Sequence, residues 1–250
     1  DAVVDALLAE LRRRGVDGSE LARAPSAAAG PTPSYPLYLA HAMHQRVHPM
    51  SSSQPFQSCF VGELPTVRVP LPAALNYENT QASTAIGTID FARDHLAGSI
   101  ELVSRLFAAD VGFAPARVEL VTPARRDGFR FGAIAIYLCY RASTDAAPSF
   151  YVLEAGLATG QAAMLYLGKT MNDTILLASG YQPTPFSGPS NVYTGKLRVV
   201  DNQPVQLSIA ARSPGSPSYI EVLVDYKAVS AAPEAEPLCL MLEAIARVAA

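Results

Sequence analysis

The stretch Tyr219-Ile220-Glu221-Val222-Leu223-Val224-Asp225-Tyr226 decides the fold class. Ile220, Val222, Val224 and Tyr226 fall on one side of an extended chain, with Glu221 and Asp225 on the other. A period of two marks a half-buried strand, because successive strand side chains point to opposite faces. Working outward, short apolar runs recur from Phe56 onward, separated by Pro, Gly, Ser and Asp. The strands expected from them are 67–71, 117–122, 129–140, 150–153, 161–167, 173–178, 196–200, 205–210 and 219–226. Pro183, Pro185, Pro189, Pro204, Pro214 and Pro217 fall between these runs, where a missing amide donor does no damage. Short strands with long proline-rich connections and almost no strand–helix alternation point to an antiparallel sandwich or jelly roll.

Helical patterns frame and interrupt this series. Val4, Leu7, Leu8 and Leu11 follow the i, i+3, i+4, i+7 rule over 2–14, and Gly15 is placed to end that helix. Residues 24–36 are an Ala/Pro/Ser/Gly linker, and 37–48 read as a short helix stopped by Pro49. Leu96, Ile100, Val103 and Phe107 form a helical stripe ahead of the second strand. Pro237 can open a closing helix that turns Leu238, Met241, Leu242 and Ile245 inward. The chain thus divides into an N-terminal helix and extended arm (1–55), a β-sandwich (56–232) and a C-terminal helix and tail (233–250).

Composition narrows the function. Half of the 250 residues are hydrophobic and only 16% are charged, against about 25% in ordinary soluble domains, so part of the surface is expected to be buried against partners. A net charge of −3 with scattered Lys and Arg disfavours a nucleic-acid face, which needs clustered cations. Cys59, Cys139 and Cys239 are far apart and odd in number, as reduced, buried thiols would be. No apolar run reaches the roughly 18 residues of a membrane span, and no signal peptide opens the chain. Asp1 in place of Met suggests a proteolytic product or a trimmed chain.

Catalytic motifs fail on spacing. Gly168-Lys169-Thr170 has its preceding glycine at Gly160, and Gly195-Lys196 has its own at Gly188 and is followed by Leu197, so neither completes a phosphate loop. No G-x-S-x-G, G-x-G-x-x-G or C-x-x-C occurs. His95 beside Asp94 could serve a serine nucleophile, but a surface or capping role is the simpler expectation. On a helix over 37–48, His41, His44 and His48 would share one face, a spacing that could ligate a metal or sense pH. No carboxylate or cysteine lies close in sequence to complete a ligand set, so a plain exposed or interface helix is preferred. Asn172-Asp173-Thr174 matches a glycosylation acceptor, which the cysteine usage does not favour. No catalytic residue, cofactor or metal ligand is assigned.

Four stretches carry a resemblance. Phe56-Gln57-Ser58-Cys59-Phe60-Val61-Gly62 is similar to a barrel-opening segment. The helical pattern 95–108, followed by Arg117-Val118-Glu119-Leu120-Val121-Thr122, is similar to a helix-then-strand unit. Tyr181 to Tyr193, with Pro185-Phe186-Ser187-Gly188-Pro189-Ser190-Asn191-Val192-Tyr193, is similar to an apolar strand, proline turn and aromatic exit late in such a barrel. Gln206-Leu207-Ser208-Ile209, then 219–227 and Ala228-Val229-Ser230, resemble the last two strands and the start of a tail. In this order the chain resembles the picornavirus-like jelly-roll capsid proteins, most of all the largest surface protein, over about residues 56–232. The helices at the two ends have no counterpart there, and Ala231-Ala232-Pro233-Glu234 replaces the familiar aromatic–arginine–proline ending.

The resemblance implies an eight-stranded antiparallel jelly-roll sandwich tiling an icosahedral shell, with loops outward and the N-terminal arm inside. The implied partners are other capsid chains and a host receptor, with encapsidated RNA only indirectly. The implied location is the virion, assembled in the host cytoplasm. It also allows a lipid-like molecule in the barrel, where Ile134, Ile136, Tyr137, Cys139, Leu165 and Leu167 could line a pocket, although simple core is the commoner role of such residues. The alternatives are a β-sandwich ligand- or receptor-binding module, and a cupin-like metal enzyme using the histidine trio.

Overall fold

A computed structural model describes residues 34–47, 58–126, 129–130, 134–156, 163–170, 173–177, 192–212 and 219–230. The helices expected over 2–14 and from Pro237 onward, the glycosylation acceptor Asn172 and most of the linker lie outside these residues.

The alternating stretch forms β14 (Tyr219–Val229), which pairs antiparallel with β1 (Leu37–Val47) and β13 (Gln203–Arg212). On the far side of β1 lies β2 (Ser58–Pro70), followed by β5 (Arg117–Pro123), β8 (Ile134–Tyr140), β9 (Phe150–Gly156) and β10 (Ala163–Gly168). Beyond β13 come β12 (Val192–Val200) and β11 (Thr174–Leu177). The whole is a 10-stranded antiparallel sheet in the order β10-β9-β8-β5-β2-β1-β14-β13-β12-β11. Its two end strands approach each other, so the sheet curls nearly into a barrel.

Three expectations are corrected. Residues 37–47 form a strand, not a helix: each of them pairs with β14, and 37–46 pair also with β2. Two ladders outweigh the helix-forming bias of Leu, Ala, Met and Gln. The large sheet has ten strands instead of eight, and every long strand is hydrogen-bonded to its sequence neighbour. That order is a meander, whereas a jelly roll interleaves two Greek keys. Finally, Pro204 lies inside β13, opposite Val199 at a register shift between Arg198 and Val199, the kind of bulge that tolerates a proline.

A small second sheet joins β3 (Gln81–Thr84), β4 (Gly87–Asp90), β6 (Arg125–Arg126) and β7 (Phe129–Arg130). The strand expected over 129–140 is therefore divided between the sheets. Asp90 caps the one-turn helix α1 (Phe91–Asp94) by accepting from the Arg93 amide. The helix expected over 95–108 is α2, shifted to Ile100–Val111. Ser99 caps it by accepting from the Leu102 amide, and Gly112, at φ 83°, ends it in the left-handed region that glycine enters freely.

Alternation places two cores on the two faces of the sheet. Ile136, Leu138 and Tyr140 of β8 and Tyr151, Leu153 and Ala155 of β9 face the inside of the curl, with Leu197, Leu207 and Val224. Ala135, Tyr137 and Cys139, with Phe150 and Val152, face outward beneath Phe91 and Val103. The central strands are buried on both faces, which is why β8 and β9 read as continuous apolar runs.

Candidate functional site

Charged residues interrupt these apolar strands at three places, and each finds a buried partner. Arg68 follows Val67 in β2, and in the β2–β5 register it faces Val121, diagonal to Glu119. In the β5–β8 register Arg117 faces Tyr140, again diagonal to Glu119. The four thus share the inner face at one end of the curled sheet, since cross-strand and diagonal neighbours point the same way. Asp201 and Asn202 form the two-residue turn between β12 and β13, with φ of 47° and 61°, the left-handed pair a tight hairpin requires. This turn closes over the cluster.

Arg68, 6% exposed, donates from Nε to Glu119 Oε2 at 2.6 Å, from Nη1 to the Asn202 carbonyl at 2.6 Å and from Nη2 to the Tyr140 hydroxyl at 2.7 Å. A further Nη2 bond goes to Glu119. The Tyr140 hydroxyl lies 2.6 Å from Asn202 Oδ1 and 3.0 Å from Glu119 Oε2. The Tyr38 hydroxyl donates to Gln203 Oε1. The Arg117 guanidinium stacks 3.8 Å above the Tyr140 ring. Burial alone would lower the pKa of Arg68, but its bonds to Tyr38 and Glu119 outweigh it and hold the group above its ordinary value. Burial pushes the Tyr140 phenol up to about 12. Outside this cluster opens a cleft of about 300 Å³, lined by Tyr35, Pro36, Arg68, Pro70, Glu119, Asn202 and Gln203.

A second cluster lies on the outer face. Glu154 of β9 takes the Tyr137 hydroxyl at 2.5 Å and the Leu96 amide at 2.9 Å on Oε2, while His95 Nδ1 stands 3.3 Å from Oε1. The imidazole is within ion-pair range, but Nδ1 is off the line of a hydrogen bond. Burial would raise the Glu154 carboxyl, yet His95, Tyr137 and the Leu96 amide outweigh it and lower its pKa. The surface or capping role expected for His95 is corrected: its side chain is buried and faces Glu154, while Asp94 pairs with Arg125. Ser99 serves as the cap of α2.

The histidine trio does not assemble as a helical face. His41 is exposed on β1, 3.6 Å from Glu63 on the facing strand. Position 44 has the opposite parity along the strand, and His48 lies outside the described residues. Among the described residues no group of three or more His, Cys, Asp or Glu could hold a metal. The candidate pocket residues divide as well: Ile136 faces the inner core, whereas Tyr137 and Cys139 face the outer one with Leu165 and Leu167 packed against it. Gly168-Lys169-Thr170 forms the turn after β10, braced by Asp173, which accepts from the Thr170 amide and hydroxyl. Gly168 has no side chain because the Tyr151 ring occupies that space, 2.2 Å from where a Cβ would sit.

The Arg68 and Glu154 clusters were missed by motif reading. Their signal was a charge inside an apolar strand, which burial makes costly unless paired. No family model, curated protein or solved structure matches the chain.

Proposed function

We propose that this protein is a structural subunit that assembles with copies or relatives through its β surface, and that the assembly is a picornavirus-like icosahedral shell around an RNA genome. The observation that carries the assembly role is the outer surface of the sheet's edge. Leu176 of β11 is 72% exposed, and Val192, diagonal to it on β12, is 51% exposed. Large apolar side chains exposed side by side on an end strand and its neighbour mark a site for association, since free monomers usually blunt such edges with charge. The low charged fraction supports the same reading.

The viral part rests on the sequence stretches. Two of them fall on the kind of element the resemblance implies: α2 leads into β5, and β13 pairs with β14. The jelly-roll connectivity of such shells is not the meander described above, so support comes from segment order and surface, not from topology. Among the described residues no helix is long and apolar enough to cross a membrane. Electron microscopy of native material tests the proposal. Uniform spherical particles containing this chain support it, and a dispersed single chain overturns it.

The second reading, a ligand-binding module, is favoured by one observation: the cleft beside Arg68.

A further inference from the structure

We propose that the cleft beside Arg68 binds a neutral, polyhydroxylated ring of the size of one hexose. The argument starts from how its two amides are oriented. Asn202 Oδ1 is engaged by the Tyr140 hydroxyl at 2.6 Å, and Gln203 Oε1 by the Tyr38 hydroxyl. Each tyrosine therefore fixes the carbonyl end of an amide. The Nδ2 and Nε2 groups are left as donors with no hydrogen-bond partner among the described residues, beside the cleft both residues line.

Glu119 supplies the matching acceptor. Its Oε2 is taken by Arg68, while Oε1 has only Arg117 Nε at 3.7 Å. The residues that line this one cleft thus offer both donors and an acceptor, the pairing that a hydroxyl, at once donor and acceptor, satisfies. Among the residues that line the cleft Arg68 is the one cation, and its charge is already matched by Glu119, so an anionic ligand would meet a carboxylate there. Tyr35, Pro36 and Pro70 give the cleft apolar walls for the C–H face of a ring. A volume of about 300 Å³ is at the small end of ligand pockets, which limits the occupant to a single ring. The inference is independent of the assembly reading.

The test is calorimetric titration of the full chain with the methyl pyranosides of glucose, galactose and mannose, with glucuronate and inorganic sulfate as anionic counterparts. A hexose offered free and a hexose ending a glycan share this chemistry. Titration reads the first and retention on oligosaccharide-coated beads reads the second, and either supports the site. Gln203 is exposed, and Gln203→Met removes its Nε2 donor together with the acceptor of the buried Tyr38 hydroxyl, a loss of stability that thermal unfolding reads separately from binding. Asn202→Gly removes the other and suits the turn's positive φ. Each is expected to weaken pyranoside binding by about tenfold, the loss of roughly one hydrogen bond, with cooperative thermal unfolding showing that the fold is retained at the temperature of the titration. Binding of the anions but of no neutral ring, no binding of either, or pyranoside binding unaffected by both substitutions would each overturn the proposal.

Discussion

Arg68 illustrates how a single residue can organise one end of this molecule. A guanidinium that is 6% exposed must have its charge and donors met, and Glu119, Asn202 and Tyr140 meet them from two other strands and a turn. Arg68→Ala leaves Glu119 and Tyr140 facing an unfilled space, and is expected to cost about 3 kcal/mol in urea denaturation, the usual scale for breaking a buried pair. A change under 1 kcal/mol would mean that water already screens the cluster. Glu154 gives a pH-dependent counterpart. Its carboxyl is held below the ordinary value of 4.5, so the folded state binds its proton less readily than the unfolded chain does. The stability it contributes is present above that value and is lost as the pH falls through the lowered one. Denaturation curves of the protein and of Glu154→Gln are therefore expected to differ by a constant amount near neutrality and to converge in acid. A difference that grows on acidification would contradict the assignment. Neither cluster was legible in the sequence, because Arg68 and Glu119 are 51 positions apart and Arg68 and Asn202 134 apart. Only the register of the strands joins them.

At the scale of elements, legibility followed the strength of the periodicity. β14 alternates in the sequence and is a strand, and the stripe of Ile100, Val103 and Phe107 is a helix. β1 was misread because Leu37, Ala40, Ala42, Met43 and Gln45 suit a helix, and only the partners β2 and β14, distant in sequence, decide otherwise. The same misreading produced the histidine trio, whose shared face existed only on a helix. The hairpin of β3 and β4 escaped notice since Gln81-Ala82-Ser83-Thr84 has little apolar signal. For α2 the cap is the informative residue. The Ser99 hydroxyl accepts from the Leu102 amide at 3.2 Å and is itself buried, so Ser99→Ala is expected to cost about 1 kcal/mol, read from the shift of the urea midpoint. Ser99→Asp should recover part of it, as another good cap, whereas equal stability of Ser99→Ala and the parent would remove the cap from the account.

For the whole molecule, the two-faced burial of β8 and β9 explains why the β character was readable and the topology was not. Apolar strands announce a sheet with both faces covered, but nothing local says whether the chain meanders or crosses between sheets. The order of ten strands, each long one beside its sequence neighbour, came only from the structure. The central claim is that the apolar outer edge at Leu176 and Val192 exists to be covered by other chains. Sedimentation of native material in parallel with the Leu176→Asp/Val192→Asp double variant tests it most directly. The account predicts that the parent sediments in large, uniform assemblies and that the variant sediments as much smaller species. A parent that sediments as a single 26.5 kDa chain, or a variant that assembles as well as the parent does, would contradict it.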